Sequence, residues 1–137
     1  MSIAVPTFIE MLKDEDPAVR RYAAEGLQTL GPGAKAATPM LAERLKATDF
    51  SIRYEAALTL RAIGPGAKEA VSALLESLND RDGLMRKAAA VALLKISPES
   101  ETKITSALLK EAKAWIEAVE KAGGSYELGG MGAPPPK

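Results

Sequence analysis

The chain repeats itself every 33 residues, and this period constrains its fold more tightly than any other feature of the sequence. Asp16, Asp49 and Asp82 fall in register, as do Arg20, Arg53 and Arg86. Ala23, Ala56 and Ala89 come after them, then Ala24, Ala57 and Ala90. Leu27, Leu60 and Leu93 come next, then Leu30, Ile63 and Ile96, while Leu12, Leu45 and Leu78 carry the register backwards. Gly31-Pro32-Gly33-Ala34-Lys35 recurs as Gly64-Pro65-Gly66-Ala67-Lys68, and the third copy keeps only the proline, in Ser97-Pro98. A structure made of one unit used three times is the simplest way to satisfy such a pattern.

Each unit reads as a pair of helices. Val19, Ala23, Ala24, Leu27 and Leu30 recur at spacings of three and four, which makes one apolar stripe. Asp16 is a strong N-cap, Pro17 suits the first helical position, and Gly31-Pro32 is a stop. The second helix carries Leu41, Ala42 and Leu45, and its copies carry Leu74, Leu75 and Leu78, and before them Phe8, Ile9 and Leu12. No sustained period-two alternation of β-branched residues marks a strand. Neither stripe of a pair can be buried alone, whereas stacked pairs bury both, so the expected fold is all-α: an α-solenoid of antiparallel helix pairs. The recurring alanine pairs let neighbouring helices approach closely.

The expected organisation is a half repeat over 1–15, full repeats from Asp16, Asp49 and Asp82, and a capping helix over about 103–121. Ile104, Ala107, Leu108, Ala112, Trp115 and Val119 form the buried stripe of that last helix, with the single tryptophan as a lid. Residues 123–137 are rich in glycine and proline and read as a flexible tail.

Composition narrows function by exclusion. There is no cysteine and no histidine, which removes thiol chemistry, the commonest general base and the commonest metal ligand. Eighteen basic residues balance eighteen acidic ones, where a nucleic-acid binder carries a basic excess. No apolar run approaches the ~20 residues that span a bilayer, and no secretory signal opens the chain. The expectation is a cytoplasmic protein with no cofactor, no metal, no catalytic residue, no nucleic-acid partner and no membrane partner.

Four sets of residues remain as candidates. Asp16, Asp49 and Asp82, each four before Arg20, Arg53 or Arg86, read as a structural ladder: the aspartate caps a helix, and the arginine makes a forked contact to an aspartate of the same or the next unit. The Gly-Pro-Gly-Ala-Lys segments lack the spacing and the preceding strand of a phosphate loop, so they read as tight turns. On the second helices, Glu10, Glu43 and Glu76 hold equivalent positions, with Arg44 and Lys110 beside the row. Such a row suits a basic or helical segment of a partner protein. Finally, Val5, Phe8 and Met11 give the first helix an apolar edge that no earlier unit covers, which points either to self-association there or to a chain cut from a longer array.

A period of 33 also fits ankyrin repeats, but their Thr-Pro-Leu-His signature is missing. Asp49, Ile52-Arg53, Ala56-Ala57, Leu60, Ile63-Gly64-Pro65, Ala67, Ala70-Val71 and Leu74, recurring over Asp16 to Pro39 and more loosely over Asp82 to Pro98, resemble the short bacterial HEAT-like repeat of the phycobilisome-lyase type. The resemblance covers roughly residues 1–110. It implies a curved stack whose second helices line the concave side, and a non-enzymatic scaffold that binds a protein or peptide there. The same resemblance supplies the rival reading, a bilin-lyase-like or isomerase-like accessory subunit.

Overall fold

The computed structural model describes residues 4–122. After a short opening helix, α1 (Val5–Met11), the chain forms α2 (Pro17–Leu30) and α3 (Thr38–Arg44), then α4 (Phe50–Ile63) and α5 (Val71–Ser77), then α6 (Gly83–Ile96) and α7 (Ser106–Lys121). No strand occurs among the described residues. The helix pairs recur in step with the sequence period, so the fold is the expected all-α solenoid. The tail expected over 123–137 lies outside the described residues.

The three long first helices start for the same reason. The side chains of Asp16, Asp49 and Asp82 accept hydrogen bonds from the backbone N–H groups of Ala18, Ser51 and Leu84 at 2.9, 2.8 and 2.9 Å. Each satisfies one of the donors that a helix start leaves unpaired. The first two also stop alike. Gly31 and Gly64 take φ values of 57° and 76°, a region nearly closed to other residues.

The segment after each stop is more than a simple turn. Gly31–Ala37 and Gly64–Ala70 form 3₁₀ turns that run straight into α3 and α5. Ala34 and Ala67, at ψ 17° and 26°, interrupt the regular helix, so each second helix is a composite of a 3₁₀ turn and a short α-helix. The third copy departs further. Ser97 replaces the glycine and takes a negative φ of −146° with ψ 77°, and a 3₁₀ turn spans Pro98–Lys103. Ile104 and Thr105 are then extended, with ψ 134° and 151°, before α7 begins at Ser106, three residues later than expected.

The core runs along the stack. α2 lies against α4 and α4 against α6, and all six alanines of the repeated pairs are 3% exposed or less. Leu27, Leu60 and Leu93 are fully buried beside them, each contributing about 1.5–3 kcal/mol by leaving water. Position in the stack decides burial as much as residue type does. Ile63 and Ile96 are fully buried, whereas their equivalent Leu30 is 37% exposed on α2, the first of the long helices. Val19, expected in the same stripe, is half-buried. At the other end Trp115 is 1% exposed, as expected of the lid, and the Arg61 guanidinium carbon lies 5.4 Å from its ring centroid. Ile104, Ala112 and Val119 are buried with it, but Ala107 is exposed, because the delayed start of α7 turns its first turn outward.

Candidate partner-binding face

The three ladder arginines are anchored on backbone carbonyls that precede their own helices. Arg20 donates through Nη1 to the carbonyls of Asp14 and Glu15 at 2.8 and 3.0 Å, and Arg53 does the same to Ala47 and Thr48 at 3.0 and 2.8 Å. Arg86 donates to the carbonyl of Asp80 at 2.7 Å. Each arginine therefore ties its own helix to the loop before it. Among the described residues the forked contact to a carboxylate is present once: Arg53 Nε and Nη2 reach Asp80 Oδ2 and Oδ1 at 3.0 and 3.3 Å. The acceptor is Asp80, two residues ahead of the capping Asp82. Asp80 falls 33 residues after Ala47, so Arg20 meets no carboxylate at the corresponding place. The Arg53–Asp80 side chains are 6% and 11% exposed, a buried and hydrogen-bonded pair.

On the second helices, Glu10, Glu43 and Glu76 are all exposed, one each on α1, α3 and α5. Glu10 is joined to Lys13 at 3.2 Å. Lys110 is exposed on α7. Arg44 is not on that open row. It is half-buried and lines a narrow cleft with Glu55, Leu41 and Thr59. Burial lowers the pKa of its guanidinium, and Arg20 nearby adds to the effect. Burial likewise pushes the Glu55 carboxyl up, against the pull of Arg21, Arg20 and Arg44. The sequence reading missed Glu55 because its equivalents are Tyr22 and Ala88, so no periodic signal marks it.

At the amino-terminal edge, Val5 and Met11 are half-buried, but Phe8 is 7% exposed. Its ring seats over Gly26, where an added Cβ would overlap it, and lies 6.2 Å from the Tyr22 ring. Phe8 is thus a core residue. The large apolar side chains left exposed at this end are Tyr22, at 55%, and Leu30 on α2.

A groove that the sequence did not announce opens between the end of α5 and the start of α7. It is a half-open groove of about 460 Å³, with Leu75, Leu78 and Leu108 as its apolar surface and Arg86, Lys103 and Glu111 among its polar groups. It exists because α7, redirected by the extended Ile104-Thr105 step, packs mainly on α6. Among the described residues no helix is long and apolar enough to cross a membrane, and no group of His, Cys, Asp or Glu is placed to hold a metal ion. The arrangement offers extended contact surface, charge and one apolar groove.

Residues 5–95 match the profile of a protein family described as HEAT repeats. No curated protein matches the chain.

Proposed function

We propose, for a chain that belongs to the HEAT-repeat family, a non-enzymatic scaffold role in which a segment of a partner protein lies along the second helices. HEAT repeats generally mediate protein–protein interaction. The observation that carries the reading is the exposure of Glu10, Glu43 and Glu76 on successive second helices, a row that suits a basic or helical segment on the concave side. Arg44, turned into its cleft, contributes less than Glu43, and Lys110 stands beside the far end of the row. The 33-residue unit and its Ile-Gly-Pro stop favour the short, phycobilisome-lyase type of repeat. No observation favours the bilin-lyase-like or isomerase-like reading over the scaffold.

Affinity capture of a partner and then titration test the assignment. The double variant Glu43→Ala/Glu76→Ala is expected to bind about three- to tenfold more weakly and to lose part of the salt dependence, the scale of two exposed charge pairs. Wild-type affinity in that variant would move the partner off this face.

A further inference from the structure

Asp80, in the loop before α6, clamps the arginine of the preceding unit, and the other two copies of that arginine have no carboxylate at the register position of Asp80. Arg53 has the Asp80 carboxylate across its fork. One period after Asp80 stands Lys113, on the exposed side of α7, so Arg86 receives no equivalent anion. Arg86 uses Nη1 on the Asp80 carbonyl and, among the described residues, makes no ion pair. Instead it lines the groove between α5 and α7, together with Lys103. Two cations outnumber the one carboxylate there, Glu111, and all three sit beside the surface of Leu75, Leu78 and Leu108.

We infer that this groove is a docking site for a peptide segment in which an acidic side chain is flanked by leucine-like residues. The partner's carboxylate takes at Arg86 the place that Asp80 takes at Arg53, with Lys103 as a second cation, and the flanking apolar side chains fill the volume between α5 and α7. A forked arginine–carboxylate contact on the rim of an apolar groove supplies direction, while the leucine surface supplies affinity. A free space of about 460 Å³ accommodates a few side chains and not a folded domain, which is why the occupant is a short segment. The site does not rest on the glutamate row: it asks for the opposite charge and uses none of Glu10, Glu43 or Glu76.

Fluorescence anisotropy with short labelled peptides tests it on the full chain. The probes are a leucine-flanked glutamate peptide, the same peptide with glutamine, the same with lysine, and oleate as a competitor from another chemical class. The glutamate peptide is expected to bind saturably below a Kd of ~1 mM, the glutamine peptide about tenfold more weakly, and the lysine peptide not at all. Lys103→Glu, an exposed substitution, is expected to reduce glutamate-peptide binding several-fold with the thermal melt unchanged. Arg86→Gln is expected to abolish the preference for glutamate over glutamine, with circular dichroism confirming the fold. Equal binding of glutamate and glutamine peptides, no saturable peptide binding, insensitivity to Lys103→Glu, or binding of oleate with no peptide competing would each overturn the proposal. None of these outcomes bears on Glu43→Ala/Glu76→Ala, so the two surfaces stand or fall separately.

Discussion

Single residues in this protein take their meaning from their register partners. Glu55 shows how far that goes. It occupies the place of Tyr22 and Ala88 in the other two units, and burial there raises its pKa despite three arginines nearby. The sign comes from linkage. A carboxyl whose folded pKa lies above its unfolded value costs nothing while both states are protonated, and it lowers stability as pH rises past the unfolded value near ~4.3. Glu55→Gln is therefore expected to raise the melting temperature at about pH 7 and to leave it nearly unchanged at about pH 3.5, where both carboxyls are neutral. Differential scanning calorimetry at the two pH values checks this, and a gain of equal size at both would contradict it. The capping aspartates were legible in the sequence because a cap is a local contact, made two residues along the chain. The acceptor of the arginine fork was less so. Asp82 repeats and Asp80 does so imperfectly, with Asp14 and Ala47 as its counterparts, and a periodic reading favours what repeats.

Helices and their junctions carry the next level. The first helices were readable to within a residue, since aspartate caps and Gly-Pro stops are both encoded in local backbone preference. The composite second helices were not, because the break at Ala34 and Ala67 falls on residues that favour helix, and the surrounding packing decides it. The same holds for α7, whose new direction comes from an extended Ile104-Thr105 step. Where glycine is needed, the cost of replacing it is sharp. Gly64 has φ 76° and ψ −147°, and its nearest neighbour to an added Cβ is Lys95 Cε at 3.6 Å, so space is not the obstacle. Gly64→Ala is nonetheless expected to cost about 1–3 kcal/mol through the backbone alone, while Ser97→Gly at the third stop, where φ is negative, has a far smaller effect, both read from urea denaturation. Substitutions at the arginine fork act in opposite directions. Asp80→Ala leaves the Arg53 charge, 5% exposed, without its anion and is expected to cost about 3 kcal/mol. Ala47→Asp places a carboxylate where Arg20 lacks one and is expected to add roughly 0.5–1 kcal/mol, seen as a rise in melting temperature.

The whole molecule is a stack with two unlike ends, so the same substitution means different things along it. Tyr22 is 55% exposed on the first long helix, while its equivalent Ala88 is 1% exposed between α4 and later elements. Tyr22→Ala is expected to change stability by less than ~0.5 kcal/mol, whereas Ala88→Tyr overfills a closed interior and costs about 1–3 kcal/mol or more. Equal effects in thermal melts would mean that the units are not stacked in this order. The apolar end was anticipated, but its owner was not. Phe8 folds inward over Gly26, and the open surface passes to Tyr22 and Leu30 on α2, an exchange that depends on the missing side chain at residue 26. The groove beside α7 was invisible in the sequence for a related reason: it is a gap between elements, and a gap leaves no residue pattern. The joints of the stack are unlike as well. Arg53 is bolted to Asp80 at one joint, and at the joint before it Ala47 holds the register position of Asp80, so Arg20 has no such bolt. The clamped joint therefore lies in the middle of the stack, between α4 and α6, with Arg20 before it and Arg86 after it lacking such a carboxylate, so bending of the molecule is expected to fall on both sides of that bolt rather than at it.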